Sequence, residues 1–228
     1  MACADPASRD NGAMTALRPA QFVTALAKPL PPAVLLAGEE PLLIQEALDA
    51  VRAAARQQGY GERRGFIVEP GFRWQQVFDE YASLSLFAAQ RVIEVHMPKG
   101  PNGHKRAKGE SGADDADHGK AEDGAKALVA LMEKPARDVL LVVTTGALDK
   151  RGRESAWYQA LDAAGLSLYA WPVKPEELPA FIEQRAKAAG LKLDAEAVQA
   201  LADRTEGNLL ACAQDIAKLA LLFPNQAI

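Results

Sequence analysis

The hydrophobic positions along this chain change period several times, and each change reads as a new element. Ala33 to Ala37 (AVLLA) is a continuous apolar run between Pro31-Pro32 and Gly38, the form of a strand buried on both faces. Leu43, Ile44, Ala47, Leu48, Val51 and Ala55 then recur at spacings of three and four, one face of a helix ending near Gly59. The same order returns. Gly65 to Val68 reads as a strand, and Trp74, Val77, Phe78 and Tyr81 lie along one face of the next helix. Arg91 to Met97 reads as a third strand, with Ile93, Val95 and Met97 on one face. Asp138 to Thr145 (DVLLVVTT) is the most apolar strand; a helix around Ser155 to Ala164 and a last strand at Leu168 to Trp171 follow. Strands alternating with amphipathic helices predict an α/β domain, a parallel sheet covered by helices on both faces.

After Trp171 the strand signal ends. Pro172 and Pro175 mark a linker into three helices: Leu178, Phe181, Ile182 and Ala186 before Gly190; Val198, Leu201 and Ala202 between Asp194 and Gly207; and Leu209, Leu210, Ile216 and Leu219 between Asn208 and Pro224. Asp194 and Asn208 are the residue types that N-cap helices. The expected organisation is an α/β domain over residues 14–172 and a small three-helix lid over 173–228. Residues 1–13 read as a disordered extension, or as the product of a start placed upstream of Met14. Pro98 to Gly124 contains no Val, Ile, Leu, Met, Phe, Tyr or Trp. Ordering each residue there costs about 1 to 2 kcal/mol with almost no apolar burial to offset it, so a disordered surface loop is expected.

Composition narrows the function. The 228 residues carry 26 basic against 30 acidic side chains, a formal net charge of -4, so no global basic field draws the chain onto nucleic acid or an anionic membrane. Cys3 and Cys212 are the only cysteines, too few for a four-cysteine metal site, and a reduced cytoplasmic protein is the expectation. His104 and His118 fall in the charged loop beside Asp114, Asp115 and Asp117 without a ligand spacing or a scaffold, and read as solvated. His96 has no evident Ser or Cys partner. No apolar run approaches the roughly 20 residues of a membrane span.

An α/β domain followed by a helical lid suggests a nucleotide-driven machine, so the turn after the first strand is the place to seek a phosphate loop. It reads GEEPLLIQ, Gly38 to Gln45: a single Gly, no Lys, Ser or Thr, and two glutamates where phosphate would sit. The strongest strand ends in Thr144-Thr145-Gly146 rather than in paired acids that would hold magnesium. No catalytic, cofactor or metal residue is assigned. Two features remain. Leu86 and Phe87 follow a helix whose apolar face is complete without them; they read either as core or as an anchor for a partner's pocket, each contributing about 1.5 to 3 kcal/mol when buried. Lys150, Arg151 and Arg153 place three cations in four residues at the sheet rim, a solvated cluster or a contact to DNA phosphates or a neighbouring subunit.

Four stretches resemble the delta subunit of the clamp loader in the bacterial DNA polymerase III holoenzyme: LLAGEEPLLIQEALDAVRAAA from Leu35, SLSLFAAQRVIEV from Ser83, LDKRGRESAWYQAL from Leu148, and VKPEELPAFIEQRAKAAGLKLD with EGNLLACAQDIAKLALL between Val173 and Leu222. They stand in family order. The resemblance implies a RecA-like, AAA+-like α/β domain with a three-helix lid, no working ATP site and no cofactor. It implies clamp binding through a Leu-Phe pair, which Leu86 and Phe87 match with Ser85 before them; Ala82 stands where clamp-binding motifs sometimes begin with Gln. The implied partners are the sliding clamp (beta), the gamma/tau and delta prime subunits, and primed DNA through the complex. The family's C-terminal collar domain lies beyond the matched stretches, and polymerase activity belongs to the holoenzyme. The alternative is an AAA+-type ATPase with a degenerate phosphate loop; a third is an α/β scaffold without a clamp partner.

Overall fold

The computed structural model describes residues 16–83, 88–101 and 124–223. The elements run α1 (Pro19–Leu26), β1 (Ala33–Gly38), α2 (Pro41–Gln57), β2 (Tyr60–Ile67), α3 (Gln75–Ala82), β3 (Gln90–Met97), α4 (Gly124–Glu133), β4 (Val139–Thr145), α5 (Lys150–Arg153), α6 (Ala156–Ala164), β5 (Gly165–Ala170), then a 3-10 turn at Pro175–Glu177 and α7 (Leu178–Ala188), α8 (Ala195–Thr205) and α9 (Leu209–Leu222). The sheet is ordered β2-β3-β4-β1-β5, and every pairing is parallel. This is the parallel, helix-covered sheet the sequence led us to expect.

Period two sorts the core into two layers, because alternate side chains of a strand point to opposite faces. Ala33, Leu35 and Ala37 of β1 join Leu141 and Val143 of β4 on one face, under Val77 of α3, Leu128 and Leu131 of α4, and Trp157 and Leu161 of α6. Val34, Leu36, Leu140 and Val142 face the other way, under Phe22 of α1 and Ala47, Val51 and Ala55 of α2. β1 and β4 are buried at every position, which is why both read as unbroken apolar runs.

Departures from the sequence expectation fall where burial is one-sided. β2 begins at Tyr60, five residues before the expected Gly65, because Glu62, Arg63 and Arg64 pair with β3 on an exposed sheet edge and carry no apolar signal. β5 runs Gly165–Ala170, so Trp171 stands just past the strand, 52% exposed. Helices α1, α4 and α5 had no counterpart in the reading. In α4 the signal was present, since Ala127, Leu128 and Leu131 lie at helical spacing and are buried.

The last three helices enclose a third cluster around Ile182, Val198, Leu201, Cys212 and Ile216. Asp194 and Asn208 cap α8 and α9 as expected, accepting from the N–H groups of Ala197 (2.8 Å) and Ala211 (3.0 Å). Leu42 of α2 is buried in this cluster, and Glu46 of α2 pairs with Arg185 of α7 at 2.7 Å. The three C-terminal helices are therefore joined to the sheet through the first turns of α2. Residues 1–15, 84–87, 102–123 and 224–228 lie outside the described residues. They include the expected extension, most of the expected charged loop, and Ser85, Leu86 and Phe87.

Candidate functional site

In an open α/β sheet, ligands bind outside the carboxyl ends of the strands where the strand order reverses, here between β1 and its neighbours β4 and β5. The turn at that point is already satisfied by protein oxygens. The Gly38 N–H reaches the Gly146 carbonyl at 3.4 Å and the Glu39 N–H the Ala170 carbonyl at 2.9 Å. Glu40 N-caps α2 by accepting from the Leu42 N–H at 3.3 Å, and Pro41 has no N–H to offer. Burial raises the Glu40 carboxyl above its ordinary pKa, although the Leu42 hydrogen bond pulls it down. Gly38 is required sterically: it has φ of +141°, and a Cβ there would meet the Ala170 carbonyl oxygen at 2.2 Å. A phosphate needs free amides and a helix N-terminus open to it. This turn commits its amides to the ends of β4 and β5, its helix cap to Glu40 and its first helical turn to the cluster of the last three helices.

The second region lies at the amino end of β3, where α3 hands the chain to that strand. Trp74, Val77, Phe78 and Tyr81 pack against the sheet, as their spacing indicated. Ser83 closes α3: its N–H donates to the Asp79 carbonyl at 3.0 Å and its hydroxyl to the Glu80 carbonyl at 2.9 Å. The Tyr81 hydroxyl accepts from the Ala136 N–H at 2.9 Å, which fastens the helix end to the α4–β4 connection. Burial raises the Tyr81 phenol above its ordinary pKa. Sequence reasoning missed Arg91. Its side chain, 4% exposed, crosses from β3 to the end of α3 and donates to the Ser83 hydroxyl at 2.8 Å, to the Ser83 carbonyl, and to the Tyr81 carbonyl at 3.4 Å. The only signal for it was a charged residue near the head of a strand, beside Val92 and Ile93.

The cation cluster divides. Arg153 lies 5.2 Å from the Tyr169 ring centre and 5.1 Å from that of Trp171, and donates to the Leu148 carbonyl. The Tyr169 and Trp171 rings themselves meet at a tilt of 44°, their centres 4.4 Å apart. Arg153 thus fastens the segment after β4 to the end of β5, a packing role the sequence did not suggest. Lys150 is 82% exposed, with Glu154 at 3.8 Å, and Arg151 is exposed.

Other candidates carry less. His96 Nδ1 lies 2.7 Å from Thr144 Oγ1. Burial pushes the Cys212 thiol up, away from the thiolate a nucleophile needs. Among the described residues no group of three or more His, Cys, Asp and Glu is placed to hold a metal ion, and no helix is long and apolar enough to cross a membrane. His104 and His118 lie outside those residues.

Comparison with known proteins follows the same lines. Residues 35–168 match the family described as DNA polymerase III, delta subunit. The DNA polymerase III subunit delta of Escherichia coli (strain K12) is 34% identical over 212 residues, 93% of this chain and 57% of its own length. The subunit of the same name from Haemophilus influenzae is 27% identical over 218 residues, 94% of this chain and 58% of its own. The chain thus spans well under two thirds of the length of these relatives. Among solved structures, the DNA clamp loader delta protein of Bacillus subtilis superposes with a TM-score of 0.64 at 21% identity, covering 92% of this chain and 60% of that one. That likeness is one of fold.

Proposed function

This chain belongs to the DNA polymerase III delta-subunit family, and from that premise we propose that it acts as a non-catalytic clamp-loader subunit that binds the sliding clamp and favours its open state. The observation that carries the reading is the position of Leu86-Phe87, between the capped end of α3 and the first residue of β3, in a chain of this family. An apolar pair there inserts into a pocket of the clamp, with Ser85 beside it. Contacts made better to a distorted ring interface than to a closed one shift the population towards the open ring, and this chain needs no ATP to do so. The occupied turn at Gly38 to Leu42 supports the same reading over that of a nucleotide-driven ATPase, since phosphate would have to displace hydrogen bonds from Gly38, Glu39 and Leu42 and approach Glu39 and Glu40. Cycling energy comes from ATPase subunits of the loader; the partner subunits are the gamma/tau and delta prime chains, and primed DNA is met through the assembled complex. Polymerase chemistry belongs to the holoenzyme.

The test is binding of the full chain to its cognate sliding clamp, wild type against a Leu86→Ala, Phe87→Ala double variant shown by circular dichroism to be folded. Hot-spot side chains cost about 2 kcal/mol or more when truncated, so the variant is expected to bind roughly 30-fold more weakly. Equal binding of the two proteins removes the anchor, and binding by neither removes the clamp. ATP binding at micromolar concentration would instead favour the ATPase reading.

A further inference from the structure

Arginine is almost never fully buried unless its charge is compensated, and Arg91 is 3% exposed as a whole residue. The compensation is unusual. The nearest carboxylate oxygen, on Glu80, is 3.9 Å away, beyond hydrogen-bond reach. The guanidinium is held instead by main-chain carbonyls of Tyr81 and Ser83 and by the Ser83 hydroxyl. These are carbonyls at the C-terminal end of α3, which lack helical partners and carry the negative end of the helix dipole. A cation from another element fills the role that a capping glycine or a lysine in the last turn usually fills.

The other end of Arg91 is equally fixed. Its N–H donates to the Asp138 carbonyl at 2.9 Å, and the residue is in register with Val139 of β4. One side chain therefore ties the point where the chain leaves α3 to the point where it enters the sheet. Packing alone does not call for this arrangement. A methionine of similar volume would fill the same space without the cost of burying a cation, and Arg91 Nε has no hydrogen-bond partner among the described residues. What the guanidinium adds is direction, because its planar fork holds several acceptors in one geometry.

We propose that Arg91 is a positioning residue for partner binding: by holding Tyr81 and Ser83 to the head of β3, it fixes the described residues that flank Leu86 and Phe87 in the chain, and so strengthens the binding that this pair gives. The inference rests on the clamp-binding reading above. Preorganisation strengthens binding by removing entropy loss at the moment of contact. Ordering about one further residue corresponds to about a tenfold change in affinity.

The experiment is a double-mutant cycle on the full chain, with the cognate sliding clamp as probe at concentrations high enough to measure weakened complexes. Arg91→Met is expected to bind about tenfold more weakly than wild type. In the Leu86→Ala, Phe87→Ala background the same change is expected to have no further effect, because Arg91 acts through the pair. A merely structural residue would lower affinity in both backgrounds, and that additive result overturns the proposal. So does wild-type affinity of folded Arg91→Met. Where Arg91→Met does not fold, Arg91→Lys decides: it keeps the charge but loses the fork, an intermediate loss is expected, and wild-type binding overturns the proposal. If the Leu86→Ala, Phe87→Ala protein itself binds like wild type, the clamp-anchor reading has failed first, a result distinguishable from failure of Arg91 alone.

Discussion

Glu94 of β3 offers a sharp test of how the sheet is held to α2. Its carboxylate accepts two hydrogen bonds from Arg52 of α2, from Nε at 2.8 Å and from the terminal guanidinium nitrogen at 2.7 Å, with Arg63 of β2 at 3.4 Å. The Glu94 and Arg52 side chains are 15% and 25% exposed, which places the pair between a fully buried ion pair and a surface one. Hydrogen bonds to charged groups contribute about 1.5 to 3 kcal/mol, exposed pairs about 0.2 to 1. Arg63 is 55% exposed and adds little. In Glu94→Gln the shape and one acceptor oxygen survive while the charge goes, and Arg52 retains some access to water. We expect a loss of about 1 to 2 kcal/mol at pH 7, read as a shift in the urea midpoint with unchanged slope. Burial alone would raise the Glu94 carboxyl, but the Arg52 hydrogen bond and charge together with Arg63 outweigh it, and its pKa lies below the ordinary value. A carboxyl with a depressed folded-state pKa contributes stability that is fully present above its unfolded pKa of about 4.3 and is lost as pH falls through the lower folded value. The gap between wild type and Glu94→Gln must therefore close below about pH 4. A gap that stays constant from pH 7 to pH 3 would refute the argument, because it would assign the loss to packing rather than to charge.

Two further outcomes follow from the geometry. Pro101 and Gly124 sit side by side at Trp74: the indole N–H donates to the Pro101 carbonyl at 3.2 Å, and a Cβ on Gly124 would lie 2.0 Å from that same oxygen. Replacing residues 102–123 by a three-residue Gly-Ser linker should leave the fold intact and stability equal or higher by about 1 to 2 kcal/mol, since the closed loop shortens; a loss above about 2 kcal/mol on urea unfolding would contradict this. Arg153→Ala should cost about 1 to 3 kcal/mol through the two ring contacts and the Leu148 hydrogen bond, whereas Lys150→Ser and Arg151→Ser should each stay within about 0.5 kcal/mol. If Lys150 and Arg151 touch DNA phosphates, removing both lowers the salt slope of DNA binding by about two, and an unchanged slope removes that contact.

The strands β1 and β4, the helices α2 and α6 and the helix caps at Asp194 and Asn208 were legible in the sequence, because each states its burial or its capping chemistry within a few neighbouring residues. Polar β2 was legible only in part, since a strand paired on one side needs no apolar run. The composition of the turn after β1, two glutamates and no lysine, was equally local. The folded chain alone decided the partners of that turn, with Gly38 and Glu39 bonding strand ends more than 100 residues away and Leu42 drawn into the cluster of α7, α8 and α9. It alone separated Arg153 from Lys150 and Arg151, and it alone turned Arg91 from the head of a strand into the clasp of a helix end. Local patterns record which faces avoid water, because burial repeats with the period of each element. A long-range hydrogen bond leaves no such period, since its two partners are neighbours only after the sheet has formed.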